Sequence, residues 1–189
     1  MSTAIAPLPE LFTAEHLDAI AQAPDALAAL RRIDEIRLRI APGSICSIQQ
    51  NVTTDADPAG EIRLRRYFSS EARYPVEAIK RKTFTPWTER LFLRGLPFVG
   101  EGAEVLERHF DDYAQMRPWG LASVVNVPLL RQHTCYATFN VFGPRAQWTP
   151  QEVLGIRLLA LAVASWVPQA PGLHYRLAGI PFTASLEET

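Results

Sequence analysis

Ser123-Val-Val-Asn-Val-Pro-Leu-Leu130, the turn Arg131-Gln-His133, Thr134-Cys-Tyr-Ala-Thr-Phe-Asn-Val-Phe142 and then Trp148-Thr-Pro-Gln-Glu152 form the stretch on which the fold turns. The two apolar runs are rich in β-branched and aromatic residues, have strand length, and flank a short polar turn. That predicts paired strands over 121–130 and 134–142. In the second run Ala137, Phe139 and Val141 alternate with Thr138 and Asn140, so one face is apolar and the other polar. Thr149, followed by proline and then Glu152, is a capping box, and it predicts a helix from there to about 167. Leu154, Leu158 and Leu161 lie on one side of that helix, with Val153, Ile156, Ala160, Val163 and Val167 on adjoining positions. A helix apolar over so much of its circumference is largely buried.

Working outward, residues 61–69 and 44–52 read as a second strand pair, linked by the turn-rich Asp55-Ala-Asp-Pro-Ala-Gly60. Before them, 24–40 reads as a helix with Leu27, Leu30, Ile33, Ile36 and Ile40 as its apolar stripe, ended by Pro42-Gly43. Thr13 caps a shorter helix through about 23. The middle is less regular. Thr85-Pro86 starts a helix to about 94, Gly95 ends it, 96–99 is a short strand, and 103–115 is a helix broken by Pro118-Trp119-Gly120. Strands grouped together, with helices at both ends of the chain, imply an α+β fold. In it a central antiparallel sheet carries the end helices on one face and the irregular helical segment on the other. The expected organisation is a loose arm over 1–12, one domain over 13–168, and a tail over 169–189.

Composition sets the outer bounds. The chain has 189 residues, 48% hydrophobic and 21% charged, with a formal net charge of -1. This is ordinary globular usage with no global field for nucleic acid or an acidic membrane. The N-terminus has neither the basic start nor the apolar run of a signal peptide, and 158–167 is too short to cross a bilayer, so a cytoplasmic protein is expected. Cys46 and Cys135 each sit within an apolar strand and read as small buried hydrophobes. Their pairing would require neighbouring strands.

At this point the chain resembles the GAF domain family. Val127-Pro128-Leu129, the turn, and Ala137-Thr138-Phe139-Asn140 are similar to that family's paired strands, and Trp148-Thr149-Pro-Gln-Glu152 is similar to the lead-in to its closing helix. Ala137 stands where many members have glycine. The resemblance spans about 25–168 and implies a GAF/PAS-like sheet, small-molecule binding, and dimerisation through the end helices. The cyclic-nucleotide pattern of that family is absent, no cysteine has a bilin-attachment context, and no helix-turn-helix, kinase or cyclase module is present.

No catalytic constellation stands out. His16, His109, His133 and His174 are dispersed, no Cys-x-x-Cys occurs, and Asp111-Asp112 are helix neighbours that point apart, so neither a metal site nor a catalytic set is expected. No phosphate loop or nucleophile elbow occurs. Basic residues cluster at Arg63, Arg65, Arg66 and at Lys80-Arg81-Lys82. By strand period Arg63, Arg65 and Tyr67 share a face; if it lies under the middle segment, an anionic ligand gains a partner there. Thr138 and Asn140 look toward the same cavity or bond to neighbouring strands, and Trp87, Phe98 and Trp119 are core or cavity wall. The expectation is a small-molecule sensor or regulatory domain of unknown cofactor, working as a homodimer or through another signalling protein, with no direct nucleic acid or membrane partner. The alternatives are a non-catalytic interaction module with a filled core, and a small GAF-type reductase.

Overall fold

The computed structural model of the chain describes residues 7–72, 75–110 and 112–177. Residues 1–6 of the expected arm, 178–189 of the expected tail, and Asp111 lie outside the described residues. Six strands, β1 (Ile45–Asn51), β2 (Ile62–Ser69), β3 (Ile79–Lys82), β4 (Phe98–Glu101), β5 (Ser123–Arg131) and β6 (Thr134–Gly143), form one antiparallel sheet in the order β3-β2-β1-β6-β5-β4. Helices α1 (Leu8–Leu11), α2 (Ala14–Ala21) and α3 (Ala26–Ile40) precede the sheet, α4 (Pro86–Thr88), α5 (Ala103–His109) and α6 (Tyr113–Met116) interrupt it, and α7 (Pro150–Ala164) closes it.

The two long helices form where their caps dictate. Asp25, rather than the proline before it, caps α3 by accepting the Ala28 N–H at 2.8 Å. At α7 the capping box closes both ways: Thr149 Oγ1 accepts the Glu152 N–H at 3.2 Å, and Glu152 Oε2 accepts the Thr149 N–H at 2.8 Å. Gly155 lets α7 come close to α3, since a Cβ there would stand 2.8 Å from Ile40 Cγ2. Together they cover one sheet face, where Leu30, Ile33 and Ile40 of α3 and Ile156, Leu159 and Val163 of α7 pack on Ile48, Val125, Phe139 and Val141. The α3 stripe differs from expectation at one end. Leu27 is 52% exposed, because the inward face runs through 29, 30, 33, 36, 37 and 40. Arg37 takes an inner place and its Nε donates to Asp34 Oδ1 at 2.8 Å.

The opposite face carries a second core, in which Ile62, Leu64, Val124 and Phe142 meet Trp87, Leu91, Phe92, Leu106 and Phe110 from the 83–120 segment. That segment is less helical than expected. α4 passes directly into a π-turn over Glu89–Leu93, ended by Gly95 at φ +63°, and the helix expected over 103–115 is divided between α5 and α6. Residues before and after the expected domain also pack: Leu8 lies against the helix-side core, and Leu177 is 4% exposed in the other. Tyr175 ties the end of the chain to both layers: its hydroxyl donates to Phe92 O at 2.8 Å and accepts the Cys135 N–H at 3.0 Å. No helix among the described residues is long and apolar enough to cross a membrane.

Candidate functional site

Alternation fixes which side chains can meet under the 83–120 segment. On β6, Ala137, Phe139 and Val141 join the helix-side core, which turns Thr138 and Asn140 to the other side. On β1, Cys46 and Ile48 join that same core, and Ile45, Ser47 and Gln49 turn away from it. A cavity of about 60 Å³ lies here, between the sheet and the covering segment. Its walls are Leu64, Phe142 and Ile45 from the sheet and Trp87, Phe110 and Met116 from above. The aromatic rings lock edge to face, Trp87 on Phe110 at 5.9 Å and Phe110 on Phe142 at 5.3 Å between centroids. Each such pair adds ~0.5–1.5 kcal/mol beyond area burial.

The polar part of the lining is cationic. Arg66 of β2 and Lys80 and Lys82 of β3 enter it, against one carboxylate, Asp112. β3 pairs with β2 so that Lys80 stands beside Leu64 and Lys82 beside Ile62, both cavity-side residues. Arg66 is 5% exposed and donates through Nη1 to Pro75 O at 3.2 Å. Lys80 forms an ion pair with Asp112, joining the edge of the sheet to the covering segment. A buried chain of side-chain hydrogen bonds runs from that segment into the sheet. Trp87 Nε1 donates to Asn126 Oδ1 at 2.9 Å, and Asn126 Nδ2 donates to Asn140 Oδ1 at 2.7 Å. Two buried polar atoms on the cavity side, Gln49 Oε1 and Thr138 Oγ1, have no hydrogen-bond partner among the described residues. They are cross-strand neighbours, since Gln49 pairs with Thr138 in the β1–β6 ladder.

The residues singled out from sequence divide. Trp87 and Asn140 line the cavity, and Thr138 lies on the same sheet face beside it. Phe98 and Trp119 do not line it; they pack at the margin of the second core, Phe98 edge-on to His109 at 5.0 Å. Arg63, Arg65 and Tyr67 are a correction. They lie on the opposite side of β2 from Leu64 and Arg66. Arg63 donates to Val52 O at 2.9 Å and pairs with Asp57 at 3.4 Å. Arg65 donates from Nε to Gln50 Oε1 at 3.2 Å and pairs with Glu77 at 3.3 Å. Tyr67 packs on the helix-side core, its hydroxyl 3.5 Å from Trp166 O. The cause is that the apolar residues alternating with them, Ile62 and Leu64, belong to the second core rather than to the helix-side one. The alternation also breaks where the β1–β2 register slips between Ile48 and Gln49, so that Phe68 returns to the helix side. Arg66, Lys80, Lys82 and Gln49 were not singled out as ligand contacts. The signal for the lysines was present: Lys80 and Lys82 are two apart, which puts both on one face of a strand.

The cysteines face different ways. Cys46 lies in the helix-side core, its thiol donating to Asp34 Oδ1 at 3.1 Å, and Cys135 lies in the second core, its thiol donating to Ala137 O at 3.3 Å. Their strands are neighbours, but Cys46 pairs with Val141, six residues along β6 from Cys135, which is ~20 Å at a strand's rise. No disulfide can span that. Burial pushes both thiols well above their ordinary range, so neither is a ready nucleophile. Among the described residues no group of three or more His, Cys, Asp and Glu side chains could hold a metal ion.

A six-stranded antiparallel sheet with terminal helices on one face and a cavity closed by an irregular segment on the other is the GAF-like fold. Solved structures similar to this chain include the GAF domain from a phosphoenolpyruvate-protein phosphotransferase of Coxiella burnetii, at 13% identity and a TM-score of 0.58, covering 87% of this chain and 94% of that one. The chromophore-binding domain of a bacteriophytochrome from R. palustris is similar at 11% identity and a TM-score of 0.51; this chain is covered over 80% of its length and spans 58% of that protein's. Free methionine-R-sulfoxide reductase from Neisseria meningitidis, solved in complex with its substrate, is similar at 16% identity and a TM-score of 0.51, covering 84% of each chain. No family model matches the sequence, and no curated protein matches it. At these identities the likeness is one of fold.

Proposed function

We propose that this chain is a sensor or regulatory domain that takes a small anionic molecule into the cavity under the 83–120 segment. It passes the bound state to a second copy or to another signalling protein. The observation that carries the reading is the lining: a hollow walled by Trp87, Phe110 and Phe142, bordered by Arg66, Lys80 and Lys82. A few convergent polar groups under aromatic walls is the usual make-up of a small-molecule site. The similar structures support it, one being a chromophore-binding domain and one an enzyme holding its substrate. A reductase reading of this chain requires an accessible thiolate, and burial of Cys46 and Cys135 argues against one.

Native mass spectrometry on the protein purified from its own source tests the reading. A bound small molecule, lost on Arg66→Met while the circular dichroism spectrum stays that of the folded wild type, is the expected result. Losing a charge-assisted hydrogen bond costs about 1.5–3 kcal/mol, roughly ten- to hundredfold in affinity. Arg65→Ala, on the other side of β2, leaves binding as it was. A protein that retains nothing, and whose stability no small anion raises, is an interaction module instead.

A further inference from the structure

We propose that the cavity takes an apolar monocarboxylate, a short fatty acid or an aromatic acid, which enters body first and sets its carboxylate on Lys80 in place of that of Asp112. The proposal rests on the reading of the cavity as a ligand site. The first argument is the polarity of the lining along the sheet. The lining runs from β3 across β2 and β1 to β6, three strand spacings or roughly 14 Å. Its charged members, Arg66, Lys80, Lys82 and Asp112, lie on β2, on β3 and on the part of the covering segment that Lys80 holds. Its rings lie at the other end: Phe142 belongs to β6, Phe110 packs on it, and Trp87 reaches Asn126 of β5. Asn140, the polar side chain at that end, is already bonded to Asn126 and to Thr138 O.

The second argument is where solvent enters. β3 is the last strand on its side of the sheet. The Lys80 side chain is 33% exposed and that of Asp112 22%, whereas Trp87, Phe110, Met116 and Phe142 are buried. The cavity therefore opens at the Lys80–Asp112 pair and ends on the rings. A ligand that enters there keeps its charge at the wet mouth and removes its hydrocarbon from water.

The third argument fixes the head group. Lys80 at the mouth already holds a carboxylate, so the ligand has only to exchange one carboxylate for another. Lys80 is fixed in the ladder opposite Leu64, while Asp112 sits between the short helices α5 and α6, so Asp112 is the partner that gives way. The exchange leaves the charge facing Lys80 unchanged, which a dianion does not. An ammonium would have to displace the fixed partner, Lys80.

Isothermal titration of the full chain with butyrate, hexanoate and benzoate, against hexanol, hexylamine, succinate and inorganic phosphate, decides it. Hexanoate or benzoate binds roughly tenfold more tightly than any of the last four, and hexanoate exceeds butyrate by roughly fourfold per buried methylene. Lys80→Met, at the sheet edge, weakens hexanoate roughly tenfold. Asp112→Asn removes the competing carboxylate and strengthens hexanoate roughly two- to fivefold. The hexanoate-to-hexanol ratio of the wild type tests the head group even where a variant fails to fold. Hexanol or hexylamine binding as tightly as hexanoate overturns the head group. An unchanged or weakened hexanoate affinity in Asp112→Asn that is folded by circular dichroism overturns the exchange. Phosphate or succinate binding where hexanoate and benzoate do not overturns the ligand class and leaves the small-anion reading standing. If no probe binds, the proposal falls, and the molecule carried by the source-purified protein decides the sensor reading separately.

Discussion

Replacing Trp87 by Phe probes the link between the covering segment and the sheet. The indole is 5% exposed and its Nε1 donates to Asn126 Oδ1 at 2.9 Å, while Asn126 is fully buried and donates onward to Asn140 at 2.7 Å. Phenylalanine keeps an aromatic body against Phe92 and Phe110 but leaves Asn126 Oδ1 buried without a donor, which costs about 1–3 kcal/mol. The smaller ring also leaves a void of roughly 40 Å³, worth ~1 kcal/mol at about 24 cal/mol per Å³. The expected loss is therefore ~2–4 kcal/mol, or roughly 5–15 °C in Tm for a chain of this length. Urea unfolding followed by circular dichroism and by the fluorescence of Trp119, Trp148 and Trp166 measures it. A cycle with Asn126→Ala separates the hydrogen bond from the void, since groups in one network couple by ~0.5–3 kcal/mol. A loss under ~0.5 kcal/mol, or two substitutions that simply add, would refute the reasoning that this chain of amides fastens the segment.

The remaining expectations concern the thiols, the chain end and the outer helix faces. Cys46 and Cys135 have folded-state pKa values raised above the ordinary 9.0 by burial, so the stability they confer is intact below pH 9 and declines as pH rises beyond it. With both groups the slope approaches ~2.7 kcal/mol per pH unit; urea midpoints that stay level from pH 8.5 to 10.5 would contradict this. Tyr175→Phe removes a donor to Phe92 O and the acceptor of the Cys135 N–H; it should cost ~1–3 kcal/mol and speed amide exchange over residues 86–94 while leaving α7 unchanged. Leu154 (51% exposed) and Leu161 (71%) on α7, with Leu27 and Leu38 on α3, are the surface proposed to join two copies. Sedimentation at micromolar concentration should give a dimer that Leu161→Glu dissociates, and a wild-type species of 21.1 kDa counts against it.

What the sequence made legible follows from which interactions are local. The capping box at Thr149 and Glu152 involves atoms three residues apart, and α7 begins where it says. The β5–β6 hairpin likewise needs one short turn, and its pairing runs from Ser123 opposite Gly143 to Arg131 opposite Thr134. β3 was missed for the opposite reason. Ile79-Lys-Arg-Lys82 has no apolar face, with Ile79 58% exposed, and it is a strand because β2 offers it a free edge to bond to. A short, lysine-rich edge strand also resists further pairing, so its composition suits its place better than its propensity suggests. In the middle segment Thr85 caps α4 as expected, its Oγ1 accepting the Thr88 N–H at 3.2 Å, but the turns that follow carry no such local signal, as the π-turn over Glu89–Leu93, with Phe92 edge-on to Tyr175, illustrates.

The candidate site was half legible because both faces of this sheet are buried. Alternation divides β2 into Arg63, Arg65 and Tyr67 on one side and Ile62, Leu64 and Arg66 on the other, but it carries no label saying which side meets the helices. Hydrophobicity supplied the wrong label, since Ile62 and Leu64 serve a second core as large in ring content as the first. On β6 the same rule placed Ala137, Phe139 and Val141 on the helices, because there the other side holds polar residues as well as apolar ones. Only the ladder resolves β2: the register slip at Ile48–Gln49 puts Arg66 opposite Gln49 and leaves Phe68 opposite Ile48, so the arginine faces the cavity and the phenylalanine the helices. A strand's two faces can be read from its residues, but their assignment in a two-core sheet depends on pairings that no single strand contains.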